Sequence, residues 1–437
     1  MTPRCRGPRG AGLEPEIELE IERLGAQGDG VASHQGGSVF VPLALPGERW
    51  RVALGPRVPA GRRAEGRQLL RPAARATPPC PQFGRCGGCA LQHLPAETYA
   101  AFKRDRIVAA LARRGLREVP VEALLVTPLA SRRRLRLAFR RADRQVRLGY
   151  RARRSHALVE TAVCPIALPE LVALFAPLGD LLGRLDGSAG EGEVLLTRAA
   201  AGVDLLVTAA AAPSLADRER LAAFATAERL ARISWAAVGA KPEPVATLRP
   251  VEAVLAGTAV PLPPGAFLQA SAFGEAALQA AAAAWTPAGA RVADLFAGLG
   301  TLGLAVAARA AAVDTFEAVP ALCAALAAAR HPKIRTERRD LERRPLAAAE
   351  LGRYDAVLLD PPRAGAAAQV RELAAAGVAT VIHASCNPAS FARDARTLVD
   401  AGYRLVELRP IDQFLYAPEV ELIAHFTRAR QRPGDRP

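Results

Sequence analysis

Apolar and polar positions alternate in short runs near the start of the chain: IELEIERL, SVFVPLAL and RWRVALG, separated by turns at Gly28-Asp29-Gly30, Gly36-Gly37 and Pro46-Gly47. Period-two alternation between turn residues predicts short strands, so Glu16 to about Leu69 reads as a small all-β module, a barrel. The stretch Arg71 to Pro79 reads as a linker, and Ala96 to Arg114 as a helix stopped by Gly115. From Ser131 to Arg154, Leu135, Leu137 and Phe139 and then Val146, Leu148 and Tyr150 alternate around Ala142-Asp143, which predicts an arginine-studded hairpin. Between about Leu171 and Pro250, alanine-rich helices mix with strands such as VLLTRA and VDLLVTA. From about Gly265 the rhythm becomes strand, glycine loop, helix: RVADLFAGLG, VDTFEAV, IRTERRD, YDAVLLDPPRAG, TVIHASCNP. That rhythm predicts a doubly wound α/β sheet. The expected organisation is a β-barrel over 14–72, a central α+β domain over 75–262 and a Rossmann-like α/β domain over 263–437.

Composition narrows this picture. A chain of 437 residues exceeds one compact core, and with 50% hydrophobic and 23% charged residues it is neither globally disordered nor fibrous. Lys and Arg number 58 against 43 Asp and Glu, a formal charge of +15, which points to a polyanionic partner, nucleic acid first. A GC-rich genome accounts for Arg in place of Lys but not for the excess of positive charge. The opening residues contain no apolar run of the signal-peptide type, and nowhere do ~18 uncharged apolar residues follow one another. A soluble, cytoplasmic, monomeric protein without a membrane partner is expected. Seven cysteines in a chain of this length do not make a disulfide scaffold, so clustered thiols read as metal ligands or catalysts.

Candidate chemistry gathers at strand ends. Asp294-Leu295-Phe296-Ala297-Gly298-Leu299-Gly300-Thr301 carries a strand through a glycine turn into a helix, and a second strand ends with Glu317, placed to accept bonds from ribose hydroxyls. Asp340, Asp360-Pro361-Pro362-Arg363 and Ser385-Cys386-Asn387-Pro388 end three further strands. Cofactor and chemistry are therefore expected in one crevice at the carboxyl edge of the sheet. Cys386, between polar residues in a turn, predicts an exposed thiol of low pKa, whereas Cys323 in ALCAALAAA reads as structural. Cys80, Cys86 and Cys89, spaced C-x5-C-x2-C with Cys164-Pro165 far downstream, favour a [4Fe-4S] cluster over zinc, which more typically shows paired C-x2-C knuckles. The run from Ser131 to Arg154 reads as a phosphate-tracking ribbon. Phe139, Tyr150 and Phe267 read first as core and second as base-stacking groups.

The combination DLFAGLG, FEAV, LLDPPRAG and SCNP, with GAFLQ upstream and PEVELIAHF near the end, resembles the S-adenosylmethionine-dependent RNA 5-methyluridine methyltransferases. GDGVA with VFVPLALPGE is similar to that family's TRAM barrel, and CGGCALQH to its iron–sulfur segment. The resemblance implies a class I methyltransferase domain, S-adenosylmethionine and a [4Fe-4S] cluster as cofactors, and RNA as partner. It implies Cys386 as the nucleophile that adds to carbon 6 of uracil, and Glu421 as the base that removes the carbon 5 proton. Glu419, two residues earlier on the same strand face, is the fallback. It further implies Gln269, Phe296, Thr301, Glu317 and Asp340 at the cofactor, Asp360 bridging cofactor and target base, and Arg363 holding the base or its phosphate. Thr301 stands where relatives usually carry Asn, and Ala270-Ser271 departs from the usual continuation after Gln269. Large-subunit ribosomal RNA is the expected substrate, since transfer RNA members commonly lack barrel and cluster. Three alternatives are a transfer RNA uridine methyltransferase, a non-enzymatic iron–sulfur RNA-binding protein with a relic cofactor fold, and an NAD-dependent oxidoreductase. Arg363 after the prolines disfavours an amino-methylating enzyme, which wants an aromatic there, and a cytosine methyltransferase, which typically has Cys.

Overall fold

The computed structural model describes residues 16–142 and 145–428; Asp143 of the expected hairpin turn lies outside them. The chain forms two compact units, one of residues up to Pro78 together with Ala90–Tyr99, the other of Pro79–Cys89 and the residues from Ala100 onward.

In the first unit, β1 (Glu16–Glu20), β2 (Arg23–Leu24), β3 (Gly30–His34), β4 (Gly37–Val41), β5 (Arg49–Val58) and β6 (Gly61–Arg71) form one sheet in the order β1-β5-β6-β4-β3-β2. Inward positions of the alternating runs, among them Leu19, Val39, Val41, Val52 and Leu54, make its core. Glycine is required at Gly30, where a Cβ would lie 2.8 Å from atoms of Ala44 and Ile21. Glu48 is buried beside this core and accepts bonds from Leu45 N (2.8 Å), Trp50 Nε1 (2.8 Å) and Arg75 Nε (2.6 Å). Burial pushes its carboxyl up, but these donors outweigh burial and hold it below the usual range. Arg75 belongs to the stretch expected to be a linker, so that stretch is fastened by a charge-assisted contact.

In the second unit, α1 (Ala96–Ala112) precedes a seven-stranded sheet of β7 (Arg134–Ala142), β8 (Gln145–Arg151), β9 (Leu158–Glu160), β10 (Gly190–Ala199), β11 (Gly202–Ala209), β12 (Arg232–Ala237) and β13 (Glu243–Thr247). Helices α2 (Pro169–Val172), α3 (Phe175–Arg184) and α4 (Leu215–Ala227) belong to the same region, and Leu178, Leu182 and Leu221 pack with Leu135, Leu137 and Phe139. Asp204 and Arg232 join β11 to β12 through a buried bidentate pair at 2.8 and 2.9 Å. A hairpin of β14 (Glu252–Leu255) and β15 (Thr258–Pro261) leads to the last sheet.

That sheet has the order β18-β17-β16-β19-β20-β22-β21. Its parallel strands are β16 (Arg291–Leu295), β17 (Ala312–Glu317), β18 (Ile334–Arg338), β19 (Ala356–Leu359) and β20 (Thr380–Ser385), followed by antiparallel β21 (Arg404–Ile411) and β22 (Glu421–Thr427). Helices α5 (Ala272–Trp285) and α6 (Thr301–Ala307) cover one face; α8 (Ala348–Leu351), α9 (Ala367–Ala376) and α10 (Pro388–Asp400) cover the other, while α7 (Pro320–Ala328) packs near β18 and β15. Alternate residues of one strand enter opposite cores, Leu358 with Leu278 and Leu302, Leu359 with Val370 and Phe391. Strands buried on both faces read as continuous apolar runs, which is why ALL-type segments end abruptly in Asp, Glu or Ser. The preceding segment also bridges to the outer strand, Val121 to Leu408 and Leu125 to Ile411. No helix among the described residues is long and apolar enough to cross a membrane.

Removing one partner of a buried ion pair leaves the other charge uncompensated. Asp204→Ala is expected to destabilise the second unit by roughly 3–5 kcal/mol, read as an early unfolding transition in urea followed by tryptophan fluorescence through Trp235 on β12.

Candidate active site

The glycine turn after β16 is fixed by strain and by carboxylates. Phe296 (φ 60°), Gly298 (φ 57°) and Gly300 (φ 83°) are left-handed, unusual for a phenylalanine and a mark of an over-determined loop. Buried Asp294 accepts Gly303 N at 2.9 Å through Oδ2, and its Oδ1 has no hydrogen-bond partner. A Cβ on Gly303 would stand 2.5 Å from Asp294 Oδ2. Burial, with added repulsion from Asp360 and Glu317, pushes the Asp294 carboxyl up to about 8. Glu317, ending β17, accepts Gly298 N at 2.9 Å and Val319 N at 2.8 Å, so it ties the turn to the neighbouring strand. An orphaned buried carboxylate oxygen beside a strained turn is the setting a bound nucleoside's donors would complete.

The other sequence-derived cofactor residues vary in position. Gln269 is buried and its Oε1 accepts from Gln413 Nε2 at 2.9 Å. Ser271 donates from N (3.1 Å) and Oγ (2.8 Å) to Gln413 Oε1 while its Oγ caps α5 at Gly274 N. The Ala270-Ser271 departure is thus locked to the turn before β22, and Gln413 is a site neighbour that sequence reasoning missed. Thr301, partly buried, opens α6. Asp340 stands two residues beyond the end of β18, half-exposed, accepting Glu342 N and Arg343 N at 3.1 and 3.2 Å.

Cys386, Asp360, Arg363 and Glu421 come together at the ends of β19, β20 and β22. The Cys386 thiol is pushed up to about 11, first by burial and then by Glu421, with Asp360 adding and Arg363 opposing. This corrects the expectation of an exposed, low-pKa thiol: the free site is desolvated and acidic. Glu421 is buried, and burial together with Asp360 holds its carboxyl well above the usual range. Asp360, partly exposed, is raised to about 6 by desolvation, with His383 pulling the other way. Buried His383 sets Nδ1 2.8 Å from Ala384 O and Nε2 3.6 Å from Asp394 Oδ2. Asp394 in turn accepts Ala366 N at 2.9 Å, and Arg393 donates to Ala364 O at 3.0 Å, so α10 grips the loop that carries Asp360 and Arg363. Glu419 departs from expectation: it precedes the strand instead of sharing its face, and lies 3.5 Å from the Arg363 guanidinium. The turn holding it is pinned from α1, where buried Lys103 pairs with Asp412 and donates to Phe414 O (2.9 Å), and Arg106 donates to Pro418 O.

Elsewhere in this unit, Cys80, Cys86 and Cys164 are brought within electrostatic reach of one another, and Cys89 lies near Tyr416. Cys164 Sγ accepts from Tyr150 Oη (3.7 Å) and from Ile166 N and Ala167 N, and Cys86 Sγ from Gly88 N (3.4 Å). A Cβ on Gly87 would meet Arg151 O at 2.8 Å. Among the described residues, no three His, Cys, Asp or Glu side chains converge as on a single metal ion. Cys323 is partly exposed, not core, and its thiol donates to Glu317 O at 3.3 Å. The hairpin arginines are less free than the charge run suggested: Arg136 pairs with Glu193 (2.7 Å), Arg140 with Glu191 (2.9 Å) and Arg147 with Glu160. Phe139 is core and Tyr150 faces Cys164, but Phe267 is 58% exposed with the Arg134 guanidinium 5.6 Å over its ring.

A parallel sheet with an antiparallel end, helices on both faces and a cofactor-type turn after its central strand β16 defines a class I methyltransferase-like α/β fold. A family described as tRNA (Uracil-5-)-methyltransferase matches residues 294–428. An uncharacterized RNA methyltransferase of Caulobacter vibrioides is 41% identical, covering 94% of this chain and 100% of that protein. The 23S rRNA (uracil(1939)-C(5))-methyltransferase RlmD of Chromohalobacter salexigens is 37% identical over 95% of this chain and 90% of its own. The solved tRNA (uracil-54, C5)-methyltransferase of Pyrococcus abyssi, bound to S-adenosyl-L-homocysteine, shares the fold with a TM-score of 0.73 at 22% identity, covering 94% of this chain and 100% of that one. The chain belongs to the S-adenosylmethionine-dependent RNA uracil-5-methyltransferase family.

Two outcomes test this geometry. Alkylation of Cys386 by iodoacetamide in RNA-free protein, followed by peptide mass spectrometry, is expected to keep rising with pH toward about 11, and to slow in Arg363→Gln; a plateau near that of an ordinary thiol would contradict the desolvated site. Gly303→Ala is expected to weaken S-adenosylhomocysteine binding at least ten-fold by calorimetry, because the added methyl displaces Asp294.

Proposed function

We propose that this enzyme methylates carbon 5 of a uridine in large-subunit ribosomal RNA through a covalent adduct with Cys386. The observation that carries the reading is the grouping of Cys386, Glu421, Asp360 and Arg363 at one strand-end crevice. The RlmD relatives, which align over nearly their full length, support the ribosomal substrate. S-adenosylmethionine, when bound, supplies an electrophilic methyl group. Gln269, Phe296, Thr301, Glu317 and Asp340 would hold it, with Asp360 as the residue that would touch both it and the target base.

The chain's own residues do the rest. The Cys386 thiolate adds to carbon 6 of the uracil, and the ring electrons shift to make carbon 5 nucleophilic. Once carbon 5 carries the methyl group, with S-adenosylhomocysteine as the departing group, Glu421 accepts the carbon 5 proton, and the electrons of that bond expel the thiolate. Such chemistry reaches only an extruded base, and exposed Phe267 with Arg134 above it offers a stacking surface for one. The N-terminal sheet serves as a TRAM-like RNA-binding barrel, and 75–262 and 263–437 act as central and catalytic domains in the cytoplasm.

Cys80, Cys86, Cys89 and Cys164 would hold a [4Fe-4S] cluster. The fit rests on sulfur atoms that accept backbone and tyrosine donors, as ligating thiolates do, and on half-buried thiols that repel one another's charge until a cationic centre binds. Anaerobically purified protein is expected to show charge-transfer absorption in the visible region, lost in Cys86→Ser and Cys164→Ser.

The decisive assay combines the protein, methyl-labelled cofactor, and ribosomal and transfer RNA from cells lacking it, with nucleoside analysis. Label in 5-methyluridine of ribosomal RNA is expected; label in transfer RNA would shift the substrate, and label in methylcytosine or methyladenine would overturn the chemistry. Cys386→Ser is expected to abolish methylation, and Glu421→Gln to trap a protein–RNA adduct stable on denaturing gels.

A further inference from the structure

Four hydrogen-bond donors at the start of α5 point one way. Gly274 N donates to Ser271 Oγ at 3.0 Å, Ser271 N and Oγ donate to Gln413 Oε1 at 3.1 and 2.8 Å, and Gln413 Nε2 donates to Gln269 Oε1 at 2.9 Å. A backbone N–H can only donate, so Ser271 N fixes which end of the Gln413 amide is oxygen. Gln413 Nε2 in turn fixes which end of the Gln269 amide is oxygen. That leaves Gln269 Nε2 as the outlet of the chain, and nothing among the described residues accepts from it. Neither amide has room to turn over. A Cβ on Gly274 would stand 2.3 Å from Gln413 Oε1, so the amide fills the space a side chain there would need. Asp412 and Phe414, on either side of Gln413, are both held by buried Lys103. Arg133 holds the backbone at Gln269 O and Ala270 O, 2.9 Å each, and pairs with Glu275. With Gln413 2% and Gln269 5% exposed, solvent does not compete for these bonds.

We propose that Gln413 is a positioning residue that makes Gln269 a hydrogen-bond donor toward the cofactor, and that the acceptor so selected is the carboxylate of the cofactor's amino-acid end. The strand order supports the choice of end. Glu317 ends β17 on one side of β16, and Asp340 lies beyond β18, further the same way. Gln413 precedes β22, past β19 and β20 on the other side. A cofactor whose ribose meets Glu317 therefore turns its amino-acid end toward Gln269. Of the two charged groups at that end, the carboxylate only accepts and the ammonium only donates, so a fixed amide N–H takes the first and refuses the second. A bond to a charged acceptor is also the stronger kind. The N-terminus of α5, capped by Ser271, adds positive partial charge beside it. A reversed Gln269 would instead set oxygen against oxygen. Gln413 belongs to the turn that leads into Glu421, so one turn sets both the cofactor's contact and the proton acceptor.

This inference rests on the placement of S-adenosylmethionine at Gln269 given above, and the test separates the two. Wild type, Gln413→Met, Gln269→Glu, Gln269→Ala and the double variant Gln413→Met with Gln269→Ala are titrated by calorimetry with two ligands. One is S-adenosylhomocysteine; the other is 5′-methylthioadenosine, which has the nucleoside but no amino-acid end. Gln413→Met keeps the side chain's bulk and loses its donor. It is expected to weaken S-adenosylhomocysteine binding roughly ten-fold, the loss of one hydrogen bond to a charged group, and to leave methylthioadenosine within about two-fold of wild type. Gln269→Glu still accepts from Gln413 but puts an oxygen at the outlet, and is expected to weaken S-adenosylhomocysteine at least as much while again sparing methylthioadenosine. Added to Gln269→Ala, Gln413→Met should weaken binding no further, as a residue acting only through Gln269 requires. Equal losses for both ligands would make the network structural. Unchanged S-adenosylhomocysteine binding would give the amide to another partner, such as the target base, and a further loss in the double variant would give Gln413 a role apart from Gln269. Each of these three results overturns the proposal. Wild type that binds neither ligand would instead defeat the cofactor reading itself.

Discussion

Crowding carboxylates at the end of a sheet buried on both faces raises the energy of every negative charge there, and the rest of the site answers to that constraint. Asp294, Glu317, Asp360 and Glu421 interact at one edge of the sheet. The ends of β17, β16 and β19 contribute Glu317, Asp294 and Asp360 because their parallel order aligns those ends, and Glu421 comes from the start of antiparallel β22 beside β20. Burial pushes the Asp294, Asp360 and Glu421 carboxyls up, and Arg363 stands at the mouth. Cys386 stands among them, its thiol pushed up by burial and by Glu421.

Rigidity comes from elsewhere in the chain. Helix α10, which follows Cys386 directly, holds the Asp360–Arg363 loop through Asn387, Ser390, Arg393 and Asp394. The turn ahead of Glu421 is held by Gln413 from one direction and by Lys103 and Arg106 from another. Cys386 and the Asp360–Arg363 loop are thereby fixed by one helix, and Glu421 by the contacts on the turn before it. The apolar cores on the two faces of the sheet make that possible, because each strand is located independently of the loops at its end.

Much of this was legible in the sequence for a physical reason. Strands buried on both faces leave unbroken apolar runs, so an Asp or Cys that ends such a run advertises itself, and Asp294, Glu317, Asp360 and Cys386 were found that way. Glycine turns and alternating runs likewise marked the N-terminal sheet and the β7–β8 hairpin. What stayed hidden depended on partners far apart in the chain. Gln413 meets Gln269 across 144 residues and Lys103 meets Asp412 across 309. The arginines of the hairpin looked free because Glu191 and Glu193, which neutralise them, arrive from β10. The thiol's basicity was misjudged because polarity along the sequence says nothing of desolvation, and Glu419 seemed to belong to a strand that starts two residues later.

The order of the last sheet also bears on how the protein is made. Strand β22 fills the gap between β20 and β21, although β21 is synthesised before it. On a ribosome the sheet must therefore remain open until the very segment bearing Glu421 emerges. A nascent chain interrupted earlier has neither a closed sheet nor Glu421 beside Asp360 and Cys386. Closure of the sheet and assembly of that strand-end cluster are reached in the same event.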